Sequence, residues 1–337
     1  MKGRKISSRL NKYFVGFLDE FIFDNFSESA LIRLKGEEYL KDVPIPMQNQ
    51  DLAAMVQGEG ITPMKLAENM VCVMGCDTEF QYNDAYIAFI KNLLGDKLEH
   101  IVFGAGDKIA KMGQLIQACI YFRAMLLMDK DNTKAMFAYA MALKELYNNQ
   151  DDESVIGNLK AEAIECLEKV TLLEPNNMEA FYFLGYSYLN MGLYRKAQIT
   201  LKTYLNNPTS DEQEKEVKEM LISLEKPCEI EDGINNVLSG RYESGLKILE
   251  KYASGEYEKN WTIHYHMGIA YIAIGELEKA IEAFKRVLQV NATHLETMRM
   301  LAEAYRMTGD MEKEDKYRKK IELIEKQLKE DSLEETP

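Results

Sequence analysis

Apolar residues recur every three or four positions over most of the chain, and two stretches repeat them in the same way. LGYSYLNMGLYRKAQITLKTYL (184–205) and MGIAYIAIGELEKAIEAFKRVL (267–288) both contain G-x-x-Y-x-x-x-G-x-x-x-x-A. The first holds Gly185, Tyr188, Gly192 and Ala197, the second Gly268, Tyr271, Gly275 and Ala280. Gly268 and Tyr271 share one helix face, and a glycine inside a helix costs about 1 kcal/mol relative to alanine. Its presence predicts a neighbour too close for a larger side chain. Gly275 ends that helix as a left-handed cap, and Ala280, Ala283, Phe284, Val287 and Leu288 begin a second stripe. Each copy therefore predicts a helical hairpin with a small residue on each helix, the two backbones touching. Neither helix can bury its stripe alone, so hairpins must stack.

The spacing resembles the tetratricopeptide repeat, a helix-turn-helix unit of about 34 residues. One period beyond the second copy, Ala302, Tyr305 and Gly309 continue the register. Working backwards, LEPNNMEAFYFLGYSYLNMG (173–192) aligns with MDKDNTKAMFAYAMALKELY (128–147), which sets Phe181 against Met136 and Gly185 against Ala140. The second helix of that earlier repeat follows an insertion, NNQDDESVIGN (148–158), as Ala163, Leu167 and Val170. Gly106, Ile109, Gly113, Ala118, Phe122 and Met125 mark another repeat. Gly233, Gly240, Gly245 and Leu249 mark a divergent one, with Asn236 in the tyrosine slot. The resemblance covers residues 99–328. It implies an all-α fold, an α-α superhelix (solenoid) of stacked helical hairpins, preceded by an N-terminal helical region.

The expected organisation is an N-terminal region over 1–98, a first repeat block over 99–225, a second over 226–328 and a disordered acidic tail over 329–337. The first block holds repeats at 99–132, 133–177 and 178–209, closed by a capping helix at 210–224. There Ser210 and Gln213 form a capping box, and the stripe of Val217, Leu221 and Leu224 is narrow. The second holds repeats at 226–259, 261–294 and 295–328, with Glu314 in an alanine slot of the last helix (312–328). In the N-terminal region, helices are expected at 8–23, 28–41, 63–75 and 84–94, with Thr62 as N-cap and Pro63 in the first turn. PIPMQNQ and VQGEGIT read as loops.

Charge and composition narrow the partners. The 41 basic and 55 acidic residues leave a net charge of −14, which disfavours nonspecific attraction to nucleic acid or anionic lipid. No apolar run approaches the ~18 residues of a membrane span. The basic cluster Lys2, Arg4, Lys5, Arg9 and Lys12 precedes YFVGFLDEFIF, where Asp19 and Glu20 break any signal-like run. Five scattered cysteines fit reduced thiols and a cytoplasmic location. Cys72 and Cys76 lie one turn apart, yet two ligands do not make a zinc site. His100, His264, His266 and His294 show no metal spacing, and no phosphate loop, nucleophile elbow or HExxH occurs. No metal and no cofactor is expected, and the acidic run DDE (151–153) reads as a solvated loop.

In stacked hairpins of this family the first helices line a concave groove. The residue after the Phe181 slot, which holds Phe103, Phe137, Tyr182 and Tyr265, is expected to face it. One turn on lie Asp107, Met141, Tyr186 and Ile269. The same aromatics also suit packing between adjacent first helices. The family's carboxylate clamp, in which Lys, Asn and Arg hold the C-terminal carboxylate of heat-shock chaperones, is missing from these slots. The expected function is a non-enzymatic adaptor that grips a protein or peptide segment in this groove; self-association is compatible with the same surface. A peptide-sensing regulator with an N-terminal effector bundle is the alternative, and an enzyme with a site in residues 1–98 is the second.

Overall fold

A computed structural model of the chain describes residues 8–56 and 60–334. Lys2, Arg4 and Lys5 of the basic cluster, Gly58 of VQGEGIT and residues 335–337 of the tail lie outside the described residues. The fold class is that of an all-α solenoid, in which helices pack as antiparallel pairs. It divides into two compact units. Unit 1 is the chain up to Met191 together with Thr200–Ser210; unit 2 is Gly192–Ile199 with the chain from Asp211 onward.

Unit 1 opens with α1 (Asn11–Phe14), a 3₁₀ segment over Val15–Glu20, β1 (Phe21–Asp24), α2 (Glu28–Leu34), β2 (Ile45–Gln48) and α3 (Asn49–Val56). The strands pair antiparallel, Phe21 opposite Gln48 and Asp24 opposite Ile45. This two-stranded sheet replaces the end of the helix expected over 8–23 and the loop expected at PIPMQNQ. Phe21, Ile22 and Phe23 are β-favouring residues, and burial alternates from buried Phe21 to exposed Ile22. Pro44 and Pro46 bar the partner segment from a helix, and a two-stranded sheet has only edges, where a strand proline is tolerated. The helix expected over 28–41 stops at Leu34, because Lys35 turns left-handed at φ 57°. The segments that follow do form as helices: α4 (Pro63–Cys76), with Thr62 Oγ1 accepting the Lys65 N–H at 3.1 Å, and α5 (Asn83–Leu94).

The rest of unit 1 is built from α6 (Leu98–Lys111), α7 (Leu115–Met128), α8 (Thr133–Asn148), α9 (Glu153–Leu173), α10 (Met178–Asn190) and the Thr200–Tyr204 part of α11 (Tyr194–Tyr204). α9 absorbs the second half of the insertion. The DDE run is exposed as expected, and its Asp152 also caps the helix that follows, accepting the N–H groups of Ser154 and Val155. The glycines inside the first helices sit where predicted, but what presses on them is a side chain. A Cβ on Gly106 would lie 2.9 Å from the Phe122 ring, and one on Gly185 would lie 2.5 Å from Leu201.

A different closeness docks the N-terminal region. A Cβ on Gly75 of α4 would lie 2.0 Å from the carbonyl oxygen of Ile120 on α7, so two backbones meet there. Beside this crossing Arg123 of α7 is fully buried. Its Nη2–H donates to Asn11 Oδ1 at 2.5 Å and its Nη1–H to the Cys76 carbonyl at 3.4 Å, while the guanidinium carbon lies 4.6 Å from the Phe14 ring centroid. Asn11 Oδ1 also accepts from Thr78 Oγ1 at 3.0 Å, and its Nδ2–H donates to Asp77 at 2.8 Å. Two residues earlier, Arg9 reaches Glu165 at 2.6 Å and Glu162 at 3.5 Å on α9.

Unit 2 takes the Tyr194–Ile199 part of α11, α12 (Asp211–Ser223), α13 (Glu225–Leu238), α14 (Tyr242–Leu249), α15 (Trp261–Ala273), α16 (Leu277–Val290), α17 (Leu295–Thr308) and α18 (Met311–Glu334). α12, expected to close the first block, thus falls here. The divergent stretch over 226–259 contains a hairpin, with Gly240 as a left-handed cap at φ 77° and Gly233 where an added Cβ would lie 2.8 Å from Leu249. A Cβ on Gly268 would lie 2.5 Å from the Phe284 ring. Val237, Leu249, Ile263, Phe284 and Leu301 join one core cluster. α18 runs past 328, so residues 329–334 of the expected tail are helical. Glu314 in the alanine slot is buried and pairs with Arg318 at 2.7 Å. Among the described residues no helix is long and apolar enough to cross a membrane.

Candidate peptide-binding face

α8 and α10 start alike. Asn132 Oδ1 accepts the Ala135 N–H at 2.9 Å, and Asn177 Oδ1 accepts the Ala180 N–H at 3.1 Å. These N-caps set both helices in the same phase, so equivalent positions face the same way. α8 presents Phe137, Met141 and Lys144 along one stripe, and α10 presents Tyr182, Phe183 and Tyr186. All six are half-buried. The Phe137 and Phe183 ring centroids lie 6.0 Å apart, so the rings bridge α8 and α10. Tyr182 lies 5.3 Å from Phe183, 4.8 Å from Tyr186 and 5.4 Å from the fully buried Tyr204. Lys144 Nζ sits 4.4 Å from the Phe183 centroid, a cation over an aromatic face. Burial lowers the Lys144 pKa below the ordinary lysine value.

Four of the eight expected groove residues, Phe137, Met141, Tyr182 and Tyr186, thus lie on α8 and α10 of unit 1. Phe103 on α6 is half-buried and packs on Phe122 of its own hairpin, centroids 5.8 Å apart. Asp107 accepts from Lys111 Nζ at 2.6 Å. In unit 2, Tyr265 and Ile269 are partly buried against the core of that unit. The Tyr265 ring lies 5.5 Å from His294, 6.1 Å from Phe284 and 6.5 Å from Trp261. Burial raises its hydroxyl pKa. Phe183 and Lys144 were missed by carrying slots from repeat to repeat. Lys144 is visible in the sequence as i+7 from Phe137, and Phe183 as the neighbour of Tyr182.

The other candidate chemistry has structural partners. The His264 ring donates to the Glu258 carbonyl and the His266 ring to the Thr262 carbonyl, each at 2.8 Å. His294 is a helix N-cap, accepting the Thr297 N–H at 3.1 Å. Burial pushes the Cys72 thiol up to about 11 and the Cys76 thiol up to about 12, which holds both as thiols rather than metal-binding thiolates. Among the described residues, no three or more His, Cys, Asp or Glu side chains are grouped to hold a metal ion.

Residues 261–294, which span α15 and α16, match the model of the tetratricopeptide repeat family. A TPR repeat-containing protein of Methanocaldococcus jannaschii is 26% identical over 179 residues, covering 52% of this chain and 26% of that one. A second such protein of the same organism is 39% identical over 59 residues, 18% of each chain. The chain thus spans about a quarter, or less, of the relatives it matches. Among solved structures, the TPR domain of P58(IPK) is 22% identical with a TM-score of 0.38, covering 65% of this chain and 58% of that one.

Proposed function

Because the chain is a tetratricopeptide repeat protein, we propose that it is a non-enzymatic scaffold that holds an extended protein segment against α8 and α10. One observation carries this reading: the rings of Phe137, Phe183, Tyr182 and Tyr186 form a connected, half-buried floor on two consecutive first helices. Rings held at that depth are ordered before binding, so a segment laid across them loses little protein entropy. They also offer apolar faces to alternate side chains of an extended chain. In this reading Phe103 and Asp107 on α6 hold the corresponding positions within unit 1, and Tyr265 and Ile269 on α15 hold them within unit 2.

The test is binding of immobilised octapeptide libraries to the full chain. Selected peptides are expected to bind at least roughly tenfold more weakly to Tyr182→Ala and Phe137→Ala, a loss typical of anchor aromatics. Helix content should stay within a few per cent of the parent by circular dichroism. Binding that survives both substitutions, or two proteins that fail to fold, defeats the reading.

A further inference from the structure

Resting on that reading, we propose that Lys144 sets the specificity of the α8–α10 face: the bound segment places an acidic side chain on Lys144 Nζ, next to an apolar side chain on Phe137, Met141 and Phe183.

Three lysines on α6, α8 and α9 have carboxylates to meet, whereas Lys160 of α9 lies over the Tyr147 ring, 5.5 Å from its centroid. Lys111 pairs with Asp107 at 2.6 Å, Lys134 with Glu99 at 2.9 Å and Lys169 with Asp131 at 3.4 Å. Lys144 makes no ion pair among the described residues, and its helical neighbours explain why. The positions one turn away are Ala140, Met141, Tyr147 and Asn148, none of them acidic. Its ammonium lies instead over the Phe183 ring, half-buried, with part of its water removed. A partly desolvated cation gains more from an arriving carboxylate than a fully hydrated one does, because the cost of stripping its water is already met in the fold. The ring offers only a weak partner at exposed or half-exposed sites, so the stronger anion is not displaced by it.

The acid belongs to a side chain within the segment rather than to a chain end. A terminal carboxylate is best held by several charged or amide donors converging on it; of the six side chains on this face Lys144 is the one cation, and Phe137, Met141 and Phe183 have no hydrogen to donate. Lysine acts as a point charge, suited to one flexible carboxylate. The aromatic floor then asks for apolar residues at alternate positions around the acid.

The experiment uses two octapeptide libraries, one amide-capped and one with a free C-terminus, on the full chain and on Lys144→Gln and Lys144→Glu. The expected result is enrichment of Glu or Asp at one position of the amide-capped peptides. Replacing that acid by its amide should weaken binding to the parent roughly tenfold, the effect of losing a hydrogen bond to a charged group. The same replacement should have no effect on Lys144→Gln, and Lys144→Glu should select Lys or Arg there. Peptides that depend on Tyr182 and Phe137 but carry no acidic preference overturn the Lys144 assignment and leave the scaffold reading standing. Enrichment confined to free C-termini overturns the side-chain assignment. Peptides indifferent to Tyr182 and Phe137 overturn both.

Discussion

A Cβ placed on Gly268 would lie 2.5 Å from the ring of Phe284, sixteen residues further along the chain. The same offset joins Gly106 to Phe122, Gly185 to Leu201 and Gly233 to Leu249. The repeat is therefore a lock between one missing side chain and one large one, and the turn between them only sets the distance. Gly268→Ala should destabilise unit 2 by about 1–3 kcal/mol, less about 1 kcal/mol gained from better helix propensity. Adding Phe284→Leu should recover part of that loss, so the double variant falls short of the summed effects. Urea unfolding reads both. Full additivity would show that the two residues do not share a site.

Gly75 faces a harder obstacle. The atom in the way is the Ile120 carbonyl oxygen, and backbone cannot rotate aside as a ring can. Gly75→Ala should therefore cost more than Gly268→Ala, beyond about 3 kcal/mol if α4 cannot slide along α7. Equal costs in urea melts would mean that the crossing gives way freely.

Arg123 and Asn11 should respond asymmetrically. Asn11→Ala removes the main acceptor of a fully buried guanidinium, a loss of about 2–3 kcal/mol. Arg123→Met removes the charge itself. Asn11 Oδ1 would still accept from Thr78, so this second variant should be the more stable of the two. The reverse order, measured by chemical denaturation at one pH, would contradict the account of the junction.

Alkaline pH should weaken the fold before it breaks it. Burial raises Cys76 from 9.0 to about 12 and Cys72 to about 11, so each proton is held more tightly folded than unfolded. That contribution is complete below pH 9 and is lost as pH rises from 9 towards 12. Each such thiol adds about 1.4 kcal/mol per pH unit to the decline. Cys76→Ala should flatten the fall in urea midpoint between pH 9 and 11. An unchanged slope would place Cys76 in contact with water.

The hairpins were legible because their information is local. A glycine mid-helix, a glycine at the cap and a large residue on the return helix lie within one period, and sterics ties each to the next. The sheet was not. Four-residue strands such as Phe21–Asp24 are too short to show alternation against a helical background, and Pro46 reads as a loop until Phe23 is seen opposite it. The docking of α4 on α7 was equally hidden, since Gly75 and Ile120 belong to no common repeat. On the candidate face, slot inheritance pointed to Phe137 and Tyr182, which lie half-buried on α8 and α10. It passed over Lys144, whose meaning comes from the absence of any acid one turn away.

Arg9, Asn11 and Phe14 also impose an order of events. A chain made from its N-terminus synthesises these three long before Arg123, Glu162 and Glu165, the groups they engage. Hairpins close quickly from nearby contacts, whereas this clasp must wait for a loop of well over a hundred residues and then be threaded home. Until it is, a bare guanidinium and its apolar surroundings stand open on the nascent protein, and that interval is when a folding helper would find its grip.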